Sequence, residues 1–264
     1  MIGFNSWNEM ADIHSHILPY VDDGAEDMEV SSKLIQEEYA QGVRLIVLTV
    51  HLRLGMFDTP ISRVMDHYNK LQNIIKGDHY KDLTVLVSRE YFCDDRFMAL
   101  LDGFIENKSE IIFEDKIYVP REEIIPFGIK NCILLEFSST KVQREEFKFF
   151  IQKCIKAGLS PVIAHVERYP AVWNNPDIVT QFKKYGAYIQ VNADAILGKE
   201  SKQRNVMARE LVEKGLADIV SSDAHDLEYR VPNMKKCYRF LKVRYGKAKA
   251  DMLMHDNASF LIKG

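Results

Sequence analysis

The feature that most constrains the fold is a rhythm in which short apolar runs, most of them ending on His, Asp or Glu, alternate with longer segments of helical periodicity. Val43-Arg44-Leu45-Ile46-Val47-Leu48-Thr49 is nearly continuous in apolar character, suits a strand buried on both faces, and delivers His51. Leu83–Val87 runs into Ser88, Arg89 and Glu90; Cys132–Leu135 ends at Glu136; Pro161–Ala164 delivers His165. Ala187–Val191 ends at Asn192, and Asp218–Ser221 presents Asp223-Ala224-His225. Between them, Met28–Gln41 reads as a helix ended by Gly42, Thr59-Pro60 starts another, and Ile61, Val64, Met65, Tyr68, Leu71 and Ile75 share one face of it. Phe147, Phe150, Ile151, Cys154 and Ile155 mark a further amphipathic face stopped by Gly158. Asn175-Pro176 starts a helix, Met207, Leu211, Val212 and Leu216 mark the next, and Asn233–Leu261 reads as helices that close the domain. This is the pattern of βα units around a parallel sheet. At 264 residues, with no linker, charge block or internal repeat, the simplest reading is one domain over 1–264, an α/β barrel. Residues 94–130 are less regular: a helix around 97–105, then hairpin or edge structure over 111–119, with no chemistry assigned.

In a βα barrel the C-terminal ends of the strands converge on one face. There the pattern would gather His14, His16, His51, Glu90, Glu136, His165, Asp223 and His225, whereas His67, His79 and His255 fall in expected helices or loops. His14 and His16, two apart in a strand, should point the same way. Asp22 and Asp23, on a turn closed by Gly24, offer a carboxylate to the same place. So many nitrogens and carboxylates exceed one tetrahedral zinc site and suit two or three bridged ions, with Mn, Fe, Zn or Mg as candidates. Such a centre activates water and clamps the oxygens of a phosphoryl displacement, so phosphate-ester hydrolysis is the natural chemistry. Arg168 and Arg230 follow the last ligand pairs closely enough to hold phosphate oxygens, and Arg53 is a third candidate. His51 is a ligand first, with a catalytic acid role only if unligated.

Composition narrows the alternatives. With 35 basic and 38 acidic residues the net charge is −3, so no overall field recruits nucleic acid or an anionic membrane. No apolar run approaches the ~20 residues of a membrane span, and MIGFNSWNEMADIH lacks the basic and apolar regions of a signal peptide. Cys93, Cys132, Cys154 and Cys237 show no paired spacing and suit reduced thiols, which points to the cytoplasm. None begins the Cys-x5-Arg pattern of cysteine-dependent phosphatases.

DIHSHILPYVDDG, the TVH-x-R-x-GMFDTP segment, LLEFS, PVIAHVERY and SSDAH-x5-R resemble the polymerase-and-histidinol-phosphatase (PHP) superfamily, and within it the bacterial manganese-dependent protein-tyrosine phosphatases of capsule and exopolysaccharide loci. The resemblance implies a distorted (β/α)7 TIM-like barrel with a trinuclear site. Carried over position by position, the ligands are His14, His16, Asp23, His51, Glu90, Glu136, His165, Asp223 and His225, with Arg168 and Arg230 around the phosphate. It implies phosphotyrosine as substrate, on an autophosphorylating tyrosine kinase that controls polysaccharide synthesis. This chain departs from the branch in Leu52 and Leu54 around Arg53, in Ser88-Arg89 where a Gly-Ala pair is usual, and in a longer segment over 106–130. The alternatives are a small-molecule phosphoesterase of the histidinol-phosphate kind, a nuclease, and an inactive partner-binding barrel.

Overall fold

A computed structural model of the chain describes residues 9–76, 80–140, 144–173 and 175–264; His79 lies outside them. Seven of its strands are parallel neighbours in chain order: β1 (Met10–Ser15), β2 (Val43–Leu52), β3 (Thr84–Phe92), β6 (Cys132–Glu136), β7 (Ser160–Ile163), β8 (Tyr188–Asn192) and β9 (Ile219–Ser221). The sheet curls until its ends meet. Ser15 bridges Ala224 just beyond β9, the His16 N–H donates to Ala224 O at 2.8 Å, and the Asp223 N–H donates to His14 O at 2.8 Å. The outcome is a nearly closed (β/α) barrel, with β4 (Ile111–Phe113) and β5 (Lys116–Tyr118) as an antiparallel hairpin outside it.

The helices are α1 (Met28–Gln41), α2 (Ile61–Ile75), α3 (Asp95–Ile105), α4 (Pro120–Glu123), α5 (Arg144–Lys156), α6 (Pro170–Trp173), α7 (Ile178–Lys184), α8 (Ala193–Leu197), α9 (Lys202–Glu213), α10 (Met234–Tyr245), α11 (Lys247–Asp251) and α12 (Asn257–Lys263). Their ends follow the local chemistry. Asp27 caps α1 by accepting from the Val30 N–H, and Gly42 ends it at φ 100°, a left-handed conformation that costs glycine little. Asp94 caps α3 through the Phe97 N–H.

Two apolar layers hold the barrel. Ala11, Ile13, Leu45, Val47, Leu134, Val162 and Ile219 fill its interior together with Ala258, Leu261 and Ile262 of α12, which plug the N-terminal end. A larger cluster lies between the strands and the surrounding helices. With the bottom closed, the open end is the mouth formed by the strand C-termini.

Strand ends differ most from expectation. The apolar run of β3 stops at Val87, yet pairing on β2 continues from Leu45–Thr84 to Leu52–Tyr91 and carries the strand to Phe92. Ladder hydrogen bonds outweigh the polar Ser88-Arg89-Glu90 sequence. Asn175-Pro176 opens a run of i to i+3 turns, and α7 begins only at Ile178. The short helices α4, α6 and α8 are too brief to show a period. The hairpin expected over 111–119 is present, and α4 beyond it accounts for the unusual Arg89. That buried guanidinium donates to Glu123 Oε2 at 2.8 Å and to Thr59 O at 3.0 Å, so a carboxylate from the long segment neutralises it outside the barrel.

Candidate metal centre

The mouth is assembled by irregular strand ends. In β1, Ala11 and Ile13 pack in the interior, and strict alternation would send His14 outward. A register shift between Asp12 and Ser15 changes the phase, so His14 and His16 both enter the mouth, their Nε2 atoms 3.2 Å apart. The turn that follows folds tightly over His16, because a Cβ on Gly24 would stand 1.9 Å from His16 O; only glycine fits. At two other strand ends, His165 (φ 32°) and Asp223 (φ 56°) adopt left-handed backbone, a strained conformation for non-glycine residues that aims their side chains inward.

All nine residues expected as ligands meet here. They form four overlapping groups whose ligand atoms lie within 4.8 Å of one another: His16, Asp23, His51 and His225; His14, Glu90 and His165; His14, His16 and Asp223; His51, Glu90 and Glu136. Glu90 is central. Its Oε2 stands 3.3 Å from His14 Nε2, 3.2 Å from His16 Nε2 and 3.1 Å from His51 Nδ1, while Oε1 is 3.0 Å from His165 Nε2. Asp23 Oδ1 lies 3.5 Å from His51 Nε2 and 3.6 Å from His225 Nε2. Asp22, the other carboxylate of that turn, faces away: it accepts from His16 Nδ1 and from the His51 and Gly24 N–H groups, each at 3.0 Å.

The charges are balanced by protons that a cation would replace. Burial and the neighbouring Glu90 charge push the Glu136 carboxyl up to about 8. Burial works against a charged His16, but Asp22 and Glu90 outweigh it and raise that imidazole to about 10. Burial and the His16 charge instead push His51 down to about 4. Glu90 and Asp223 stay well below the usual carboxylate range despite burial, Glu90 through His14 and His51, Asp223 through Arg230, Arg168 and His14. Four donor atoms, Glu90 Oε2, Glu136 Oε2, His51 Nδ1 and His225 Nε2, are buried with no hydrogen bond. Buried polar atoms are rarely left so; mixed nitrogen and oxygen donors facing one another fit divalent ions.

Both expected arginines border this cluster. Arg168 Nη2 reaches Asp223 Oδ2 at 3.0 Å and Arg230 Nη2 reaches Asp223 Oδ1 at 2.8 Å. Arg53 stacks on Phe92, its guanidinium carbon 4.2 Å from the ring centroid, and its charge offsets part of the upward shift at Glu136.

Compared with known proteins, residues 10–263 match the family described as capsular polysaccharide synthesis, CpsB/CapC. The chain belongs to the CpsB/CapC family. The tyrosine-protein phosphatase CpsB of Streptococcus pneumoniae is 34% identical to it over 258 residues, covering 96% of this chain and 98% of that protein. A chain from the crystal structures of YwqE from Bacillus subtilis and CpsB from Streptococcus pneumoniae, described as unique metal-dependent tyrosine phosphatases, superposes with a TM-score of 0.79 at 26% identity, over 96% and 94% of the two chains. The histidinol phosphate phosphatase of Lactococcus lactis shares the fold, with a TM-score of 0.55 at 14% identity over 92% and 94%.

Around the mouth of this CpsB/CapC chain lies a layer of residues that sequence reasoning did not assign. Gln190 Oε1 meets His14 Nδ1 at 3.2 Å and accepts from the His165 N–H at 2.6 Å, and its Nε2 donates to Asn192 Oδ1. Asn192 Nδ2 in turn donates to Asp223 Oδ2 at 2.8 Å. These contacts fix ring and carboxylate orientation. Tyr169 OH lies 3.4 Å from His165 Nδ1, and Glu200 Oε1 accepts from Arg168 at 3.1 Å. Asp226 Oδ1 accepts the N–H groups of Glu228, Tyr229 and Arg230, shaping the turn that brings Arg230 back. A signal existed for one pair only: Gln190 and Asn192 are two apart on one strand, hence on one face.

Proposed function

We propose that this chain is a metal-dependent protein-tyrosine phosphatase, holding up to three divalent ions, manganese first among them, and acting in the cytoplasm on an autophosphorylating tyrosine kinase of a polysaccharide locus. The observation that carries the reading is the convergence of nine His, Asp and Glu side chains in one mouth with two arginines at its edge. Structural metal sites are usually closed, whereas this one opens beside cations suited to phosphate. The family membership and the tyrosine-phosphatase names of its relatives support the substrate class. Among the described residues no helix is long and apolar enough to cross a membrane, and all four cysteines are free.

His14, His16, Asp23, His51, Glu90, Glu136, His165, Asp223 and His225 would hold the ions. When bound, these supply Lewis-acid charge and lower the pKa of water to ~7. The rest falls to side chains of this chain. Arg168 and Arg230, now paired with Asp223, turn their remaining N–H groups to the phosphate and bear its equatorial charge as it builds. Asp22 holds His16 in the tautomer whose Nε2 faces the cluster, and Gln190 does the same for His14. A phenolate leaving group, with a pKa of ~10, needs less protonation than an alkoxide, so the mouth requires no dedicated general acid.

Turnover of a phosphotyrosyl peptide, a phosphoseryl peptide and histidinol phosphate, measured side by side with manganese, tests the substrate class. Preference for the phosphotyrosyl peptide is expected; preference for histidinol phosphate would replace the protein substrate with a small molecule.

A further inference from the structure

Away from the mouth, α1 and α10 leave between them a groove of about 640 Å³, lined among others by Gln36, Glu37, Leu227, Lys235, Lys236 and Arg239. Its charge is unlike that of the whole chain. Helix α10 carries Lys235, Lys236, Arg239, Lys242 and Arg244 and no acidic residue, although acids outnumber bases 38 to 35 overall. Lys242 and Arg244 sit in the last turn, where cations suit the helix dipole. Lys235 and Lys236 stand in the first turn, where they oppose it. Helix stability therefore does not explain them. Lys235, Lys236 and Arg239 are exposed and, among the described residues, pair with no carboxylate. Lys33 at the groove's edge is already taken by Glu29 at 2.6 Å.

The groove is continuous with the site through one short segment. Arg230 turns inward to Asp223, while Leu227 and Val231 on either side of it line the groove. In the chain these cations follow Arg230 closely, Lys235 five and Arg239 nine residues on.

We propose that the groove between α1 and α10 docks an acidic segment of the phosphoprotein whose phosphotyrosine occupies the mouth. The proposal rests on the phosphatase reading above and adds to it a second point of recognition. Charge complementarity selects the partner's chemistry, and concavity selects its form: an extended peptide enters a groove, whereas a bilayer surface is too flat to do so. Such a patch raises association rate and discriminates among substrates more than it tightens chemistry.

Two measurements on the full chain test this. In the first, a labelled, unphosphorylated Glu-rich peptide and a neutral one of equal length are titrated by fluorescence anisotropy. The acidic peptide binds in a salt-dependent way, and the double variant Lys236→Glu/Arg239→Glu weakens it about tenfold or more. In the second, kcat/KM is compared for phosphotyrosyl peptides with acidic and neutral flanks, the acidic stretch placed at a series of increasing spacings from the phosphotyrosine. The parent prefers the acidic flank, and in the double variant that preference collapses towards unity. Lys235→Gln, a milder change, lowers it in the same direction, and unchanged thermal midpoints exclude unfolding. Equal peptide binding by parent and variant overturns the proposal, as does binding of phosphatidylglycerol vesicles, but not peptide, through these cations. Charge-dependent peptide binding without turnover of any phosphotyrosyl substrate supports the groove and contradicts the phosphatase reading, so the two fail separately.

Discussion

Strand β1 separates two buried clusters of carboxylates that meet the same cost in different ways. On the mouth side, Glu90 and Asp223 are held ionised by histidines and arginines, and Glu90 Oε2 faces three histidine nitrogens with no hydrogen bond to any of them. Behind the strand, Asp12 accepts from the N–H groups of His14 and Ser222 and from the Ser222 hydroxyl, and it faces Glu38 of α1. Glu38 has no donor from the protein among the described residues, and burial together with the Asp12 charge raises its pKa well above the usual range. Keeping Glu38 protonated removes the second charge of that pair. Burial of acids alone therefore does not make a cation site; the mouth differs because lone-pair nitrogens and anchored anions surround the same points.

Removing ligands from the mouth should have the largest effect. His14→Ala with His16→Ala is expected to cut phosphotyrosyl-peptide turnover by ~10³-fold or more and to lower bound manganese, measured by kinetics and elemental analysis. Retained activity would mean the cluster is not the catalytic centre. Disturbing the orienting layer should matter less: Asp22→Ala or Gln190→Ala is expected to weaken manganese affinity by ~10–100-fold, read by competition with a chelator. Glu200→Gln, which loosens Arg168, should raise KM several-fold with a smaller change in kcat.

The rear pair should show the smallest effect, and on stability rather than chemistry. Unfolded Glu38 titrates near 4.5 and the folded group well above it. The folded state thus keeps a proton that the unfolded state gives up, and stability falls as pH rises from 4.5 through the folded pKa. Glu38→Gln removes that contribution. Its thermal midpoint should fall less than the parent's between about pH 5 and pH 8, and manganese binding should stay as it was; a slope equal to the parent's would place the titrating group elsewhere.

Much of this was legible in the sequence because strand-end chemistry is periodic. An apolar run followed by His or Glu marks both a buried strand and a side chain at its C-terminal end, so the barrel and the residues at its mouth emerge together. Residue types and spacing left Asp22 and Asp23 open and only the family resemblance named Asp23, because what separates them is long-range: Asp22 is taken by His16 Nδ1 and the His51 N–H. Nor was Glu38, which reads as one more charge on a Glu-rich helix until α1 packs behind Asp12. Arg89 looked like a disturbance beside Glu90, but successive strand residues face opposite sides, and its partner Glu123 lies 34 residues away. Long-range partners of this kind leave no local signature.

The most direct test is manganese titration of the metal-stripped protein, with hydrolysis of a phosphotyrosyl peptide and metal bound followed on the same samples. Turnover should be absent without metal and rise to a plateau as two to three equivalents bind, as expected for ~2–3 bridged ions. Full turnover in the stripped protein, or stoichiometric binding with no hydrolysis, would contradict a metal-driven phosphatase built on these nine side chains.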